Sequence, residues 1–231
     1  MDKIDLSTMP QKIPLGVSCI DELTAGGIEP EVITELYGEG GAGKTNLSMQ
    51  FAISVIRSGG QALYLDTEGF SAERFLQISG GSEELLKGLV LYRVGSLEDQ
   101  DLAIMRVPKI LEKSRSIKIV IIDSFTEYFR LEASGDAAAR ATRFQKELSN
   151  LASAALRFRV PVLITNQIYQ SPDSGGIHPF GGHVIDHVMK AIYRVEKSKD
   201  SKRKLVVVKH RSIKEGNSKE FRITEFGLDC E

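Results

Sequence analysis

The sequence predicts an α/β protein: a mostly parallel sheet flanked by helices. Short β-branched runs alternate with helical stretches along most of the chain. Two of the runs, Lys118–Asp123 and Val160–Thr165, are almost wholly apolar, as in strands covered on both faces. A glycine-rich turn joins the first run to the first long helix. In chain order, Val32–Tyr37 predicts a strand and Gly43–Arg57 a helix. Ala62–Asp66 predicts a strand, Ala72–Ile78 a helix and Leu89–Val94 a strand. Leu97–Arg115 predicts a helix that Pro108 should break or kink, because proline lacks the N–H donor. The Lys118–Asp123 strand comes next. The long helix Ala137–Arg159 sets Leu148, Leu151, Ala155 and Phe158 roughly on one face. After the Val160–Thr165 strand and Phe180 the pattern is strand-only: about His187–Val195, Leu205–His210 and Glu220–Thr224. Gly216–Asn217 turns the chain before the last. The expectation is eight strands in one domain spanning residues 1–231, with any ligand beyond the carboxyl ends of the parallel strands.

The 231 residues carry 30 Lys+Arg against 31 Asp+Glu, with 42% hydrophobic residues. That balance excludes a disordered chain and a globally basic DNA binder, but not a local basic patch. Cys19 and Cys230 lie near opposite ends with no Cys-x-x-Cys, which predicts neither a disulfide framework nor a zinc site. Residues 1–14 lack the apolar segment of a signal peptide. Runs such as Ile119–Ile122 fall far short of the ~20 residues that cross a bilayer. A cytoplasmic protein with no membrane contact is expected.

Gly38-Glu39-Gly40-Gly41-Ala42-Gly43-Lys44-Thr45 matches G-x-x-x-x-G-K-[ST]. Glycines let backbone N–H groups curl around phosphates, and the following helix N-terminus adds positive potential. Lys44 supplies a point charge for the β- and γ-phosphates of ATP, and the Thr45 hydroxyl suits Mg²⁺. Asp123 ends a buried apolar strand, where a carboxylate is costly without a partner. Holding the Mg²⁺ shell through water would supply one. Asp66-Thr67-Glu68-Gly69 ends the strand after the phosphate-loop helix, so Glu68 is the candidate for activating water. Thr165-Asn166-Gln167 ends another buried strand, and a neutral amide there can sense the γ-phosphate. Four polar groups ending four strands point to one site, because strand ends converge in this architecture.

With these residues in hand, the chain resembles the RecA/RadA recombinase superfamily. Within it, it looks like the short archaeal paralogues of RadA. The carriers are GEGGAGKT at 38–45, YLDTEGFSAER at 64–74, IVIIDSFTEYFR at 119–130, LITNQ at 163–167 and GGH at 181–183. KHR at 209–211 and FRITEFGLDCE at 221–231 add to them. The likeness runs from about Leu15 to the C-terminus. It implies a RecA-type ATPase core with ATP and Mg²⁺. Lys44 and Thr45 then bind phosphate and metal, and Asp123 is the second metal-site acid. Glu68 is the catalytic carboxylate, Gln167 the γ-phosphate sensor and Arg74 a guanidinium stacked on adenine. His183 would report on nucleotide at a protomer boundary.

The departures carry as much information. The likeness implies an N-terminal helical DNA-binding domain and a Phe-x-x-Ala polymerisation element in the recombinases. Here the first phenylalanine is Phe51, already in the phosphate-loop helix. The two stretches matching the recombinases' DNA loops, Leu131–Ala139 and Ile168–Phe180, contain no Lys or Arg. Phosphate contact supplies most DNA affinity, so strand exchange on a self-made filament is not expected. The cations lie elsewhere: residues 197–222 hold ten Lys/Arg against three Asp/Glu, a net +7. Residues 1–196 sum to −5 and residues 223–231 to −3. Within the basic stretch, Lys202, Arg203 and Lys204 are expected in a hairpin-like turn and Lys209, His210 and Arg211 at the end of the next strand. Two readings stand for these six: a sequence-independent DNA-backbone contact, or solvated charge protecting edge strands. The function expected is that of a DNA repair and recombination ATPase. It would bind single- and double-stranded DNA, assist or regulate a RadA-type recombinase and turn ATP over weakly. The alternatives are an active recombinase and a KaiC-like regulatory ATPase that does not act on DNA.

Overall fold

Five β-strands rich in Ile, Leu and Val form the middle of the molecule, and each carries its apolar side chains alternately to two helical layers. In strand β4 (Ile117–Asp123), Ile119 and Ile121 enter one core with helix α2 (Lys44–Arg57), while Val120 and Ile122 enter the other. That second core is built on helices α5 (Leu97–Lys113) and α7 (Ala137–Phe158). Burial on both faces is what an unbroken apolar run requires. The structure, a computed structural model, describes residues 11–131, 136–170, 177–180 and 188–230.

The remaining elements are helices α1 (Ser18–Leu23), α3 (Ala72–Ile78), α4 (Glu83–Leu86) and α6 (Glu127–Leu131). The remaining strands are β1 (Ile33–Gly38), β2 (Gln61–Asp66), β3 (Leu89–Arg93), β5 (Val162–Gln170) and β6 (Ile177–Pro179). They are followed by β7 (Ala191–Lys197), β8 (Lys202–His210), β9 (Ser218–Thr224) and β10 (Gly227–Asp229). The sheet order is β10-β9-β8-β7-β1-β5-β4-β2-β3, with β6 folded back on β5. From β7 to β3 neighbours run parallel; from β7 to β10 they run antiparallel. The sheet is the parallel-dominated α/β sheet the sequence predicts. Among the described residues it has ten strands rather than eight, because β6 and β10 are three-residue strands with little periodicity to read.

Caps appear where short polar side chains precede helices. Ser71, Ser96 and Asp136 accept backbone N–H groups at the starts of α3, α5 and α7. Three expectations are corrected. Helix α5 runs through Pro108 without a break; Ile104, Val107 and Leu111 bury both halves against one core, which offsets the missing hydrogen bond. The strand expected from His187 begins at Ala191, and residues 181–187 lie outside the described residues. Cys19 and Cys230 form a disulfide across 211 positions, with Cα atoms 5.8 Å apart. The antiparallel β9–β10 return brings the chain end beside α1, which packs on β9. No local spacing encodes that meeting.

One buried polar network ties the second helical layer to the sheet's working edge. Gln100 of α5 donates to Glu147 of α7 at 2.8 Å and to the Phe125 carbonyl, just past β4, at 2.9 Å. Burial first, then a hydrogen bond with Asp101, raises the Glu147 carboxyl to about 9, so it stays neutral at ordinary pH. A neutral acid can donate a hydrogen bond where a carboxylate could not.

Candidate nucleotide site

The site forms where the parallel strands end. Register sets Asp66 opposite Asp123, and Gly38 opposite both Gln167 and Val195. The predicted groups thus stand at one end of the sheet, within about two residues of one another along their strands. At Gly38 a Cβ would lie 2.2 Å from the Val195 carbonyl oxygen, so only glycine lets β1 leave the sheet beside β7. At Gly43 the backbone takes φ 111° to open α2, a conformation that favours glycine. Between them runs the phosphate loop.

Lys44, 8% exposed, donates from Nζ to the carbonyls of Gly38 and Glu39, each at 2.9 Å. Burial lowers its pKa, while the negative charges of Glu68 and Asp123 oppose that shift. An ammonium has three N–H groups, so one remains for an anion. Asp123 is buried at the end of β4. Its carboxylate accepts from the Tyr64 hydroxyl at 2.6 Å and from the Thr165 hydroxyl. Burial raises its pKa; hydrogen bonds from Thr165, Tyr64 and Thr45 lower it, and Glu68 raises it again. The partner that a buried strand-end aspartate needs is therefore this set of hydroxyls, with Thr45 among them.

Asp66 performs a structural task. Its carboxylate accepts from the backbone N–H groups of Glu68, Gly69 and Phe70 at 3.2, 2.8 and 2.8 Å. That cap turns the loop so that Glu68 projects outward. Glu68 accepts from the Gln167 amide at 2.7 Å, and the Gln167 carbonyl accepts from Arg130. Arg130 also pairs with Glu127 at 3.5 Å. The catalytic-carboxylate and sensor candidates are thus in direct contact. Asn166 faces the other way: it donates to Glu35 at 2.6 Å and to the Phe180 carbonyl at 2.8 Å, anchoring the strand behind the sensor. Sequence reasoning missed Arg130 and Tyr64. Tyr64 lies two positions before Asp66 on β2, and that alternation was the available signal.

Arg74 is held edge-on. It donates to Asn46 (2.8 Å), Gln77 (3.0 Å) and the carbonyls of Glu225 (2.9 Å) and Thr224 (2.7 Å). These bonds lie in the guanidinium plane.

The six basic-stretch candidates do not form one group. Lys202, Arg203 and Lys204 are not in a turn but open β8, opposite Lys197 and Glu196 of β7, at the phosphate-loop end of the sheet. Lys209 and His210 close the same strand opposite Ile192 and Ala191, at the other end. About 3.3 Å per residue separates the two triplets by roughly 20 Å. Arg203 donates to the carbonyls of Ser201 and Lys202, and Lys202 lies 3.7 Å from Glu220. The His210 side chain is 1% exposed and accepts from the Ser212 N–H; burial lowers its pKa. Arg211 pairs with Glu29. The GGH loop at 181–183 and parts of both loops matched to recombinase DNA loops, 132–135 and 171–176, lie outside the described residues.

Among the described residues no three His, Cys, Asp or Glu side chains converge as a metal cage. No helix there is long and apolar enough to cross a membrane. A family model described as Rad51 matches residues 9–230. The DNA repair and recombination protein RadB of Thermoplasma volcanium is 52% identical over the whole chain and 97% of its own length. RadB of Thermoplasma acidophilum is 48% identical over the whole of both chains. A crystal structure of the RadB recombinase superposes with a TM-score of 0.82 at 30% identity, covering 95% of this chain and 99% of that one.

Proposed function

The chain belongs to the Rad51 family, and on that premise we propose that it serves DNA repair and homologous recombination as one ATP-binding RecA-type domain. In this reading it acts in the cytoplasm, binds DNA without sequence preference and assists or regulates a RadA-type recombinase. Its own ATP turnover is slow and its own strand exchange slight. One observation carries the reading: the phosphate loop, Asp123, Glu68 and Gln167 stand together at the carboxyl edge of the parallel strands.

The residues divide the chemistry. The backbone N–H groups of 38–45 and the Lys44 ammonium hold the phosphates. The Thr45 hydroxyl and the Asp123 carboxylate are hard oxygen donors side by side. They suit Mg²⁺, which keeps several waters and takes few protein ligands. When bound, Mg²⁺ supplies charge neutralisation at the phosphates. Glu68 orients water for in-line attack and takes its proton. Gln167 now holds Glu68; turning its amide to a γ-phosphate would release that carboxylate and move the strand leading to Phe180. Arg74 offers its face to adenine. Lys202, Arg203 and Lys204, with Lys209 and Arg211 at the far end of β8, are the proposed DNA contacts; the His210 side chain, 1% exposed, is buried away from such a contact.

The partner reading has a surface to act through. Edge strand β3 and helix α5 expose Tyr92 and Leu102 at a groove of about 610 Å³. Arg93, Arg106, Lys109 and Lys113 line it. An extended, apolar segment with acidic flanks from a recombinase could add to that edge.

ATP hydrolysis measured with and without single-stranded DNA, and with and without a RadA-type recombinase, tests the proposal. Slow turnover alone, little change with DNA and a clear change only when the recombinase is present is the expected pattern. Strong stimulation by DNA alone supports an active recombinase instead. No response to either supports a regulatory ATPase that does not act on DNA.

A further inference from the structure

Lys197 enters the sequence as the first of ten cations in the basic stretch, and nothing in its neighbours marks it out. The fold gives it a particular position. Strand β7 pairs in parallel with β1, with Val195 opposite Gly38, so β7 continues two residues beyond the point where β1 becomes the phosphate loop. Alternate residues share a face. Tyr193 and Val195 lie in the core with Ala42 and Leu47 of the loop and α2. Lys197 is next in that row, and it leaves the core over the loop.

Its side chain passes above the loop's centre. A Cβ added to Gly41 would meet Lys197 Cε and Nζ at 3.8 Å each. Its Nζ stands 3.8 Å from the Glu39 carboxylate, another loop residue. Its positive charge is also felt at Lys44, where it helps lower the pKa of that buried ammonium. Two lysines, one opening α2 and one ending β7, therefore flank one short loop. The pairing of Lys197 with exposed Glu39 is a contact between half-exposed groups and is worth little. A triphosphate, with several negative charges at the loop, is a far stronger counter-ion.

We propose that Lys197 is a second phosphate-binding lysine, supplied by the same chain, that contacts the terminal phosphate of a bound nucleoside triphosphate and leaves Glu39 to do so. The proposal rests on the nucleotide reading of the phosphate loop. Lys44 approaches from within the loop and Lys197 from the neighbouring strand. A cation at the terminal phosphate distinguishes triphosphate from diphosphate, because the diphosphate has no group to offer it. Such a device gives one domain a triphosphate preference without a neighbouring protomer.

Isothermal titration calorimetry of the full chain with Mg²⁺ and either AMP-PNP or ADP tests this. Lys197→Ala is expected to reduce the preference for AMP-PNP over ADP by about tenfold, with ADP affinity changed less than about threefold. Lys199→Ala removes a nearby charge off the loop and should leave the preference within about twofold, while Lys197→Arg should largely retain it. An unchanged preference in Lys197→Ala, or an equal loss for both nucleotides, overturns the proposal. Lys44→Ala separates the two levels of inference. If it loses nucleotide while Lys197→Ala keeps the preference, only the role of Lys197 falls. If the wild-type chain binds neither nucleotide, the loop reading falls and the role of Lys197 with it.

Discussion

Lys44→Ala is expected to weaken triphosphate binding by at least about 100-fold and to remove measurable turnover. The size follows from a charge-assisted contact made in a largely buried site, worth about 3 kcal/mol, where a factor of ten corresponds to about 1.4 kcal/mol. The same side chain ties the loop to itself through the Gly38 and Glu39 carbonyls. Its loss therefore also frees the loop from its present shape. The fold should survive, because Lys44 opens α2 at the sheet's edge and the cores beneath are built from other residues. Calorimetric titration with a triphosphate, beside a thermal melt, separates the effects: binding lost with the melting temperature within a few degrees. Full binding and turnover in Lys44→Ala would remove the basis for the whole nucleotide site.

Breaking the Cys19–Cys230 bond is expected to produce the largest change in stability. The disulfide closes a loop spanning 211 positions of sequence separation. Chain-entropy reasoning gives a ceiling of about 5 kcal/mol for a loop of that length, and measured effects are typically about 2–4 kcal/mol. For a chain of this size each kcal/mol shifts the melting temperature by about 2–4 °C. Cys19→Ser should therefore melt about 5–15 °C below the oxidised wild type. Reductant should lower the wild type to about the same point and leave the variant unchanged. A wild-type melt insensitive to reductant would show that the bond contributes nothing to stability. Apposition of α1 with β10 would then rest on packing such as Phe221 and Leu228 in the first core.

Much of this molecule was legible wherever the information is local. The bounds of α3 follow from the Ser71 cap and the apolar positions after it. The Ile and Val run of β4 could only be a strand buried on both faces. The phosphate loop declares itself because glycine, lysine and threonine at fixed spacing serve one geometry. What was not legible depends on which strands become neighbours. Lys197 lies over the loop only because β7 pairs with β1 two residues short of its end. Arg130 reaches Gln167 only because α6 follows β4 beside β5. Lys202 and His210 look close in sequence, yet an extended strand carries them to opposite ends of the sheet. The cysteine pair fails for the same reason at the greatest separation. Pro108 shows the converse, a strong local signal overruled by tertiary packing.

The near-neutral total charge of −1 is the sum of unlike regions, and the fold divides them further. Part of the basic stretch is spent inside the protein: Arg211 on Glu29, and Lys219 on Glu22 at 2.8 Å. The lysines that open β8 share the sheet end that holds the phosphate loop. A DNA backbone held there would lie beside the nucleotide, whereas one held at Lys209 would lie across the sheet from it.

The central claim is that this chain works with a recombinase rather than as a filament of its own. Sedimentation with single-stranded DNA, Mg²⁺ and ATP, in the absence and presence of a RadA-type recombinase, tests it most directly. The account predicts that the chain alone stays in small particles on DNA and pellets with the recombinase filament when that is added. Regular filaments formed by the chain alone, pelleting with DNA to the same extent whether or not the recombinase is present, would contradict it.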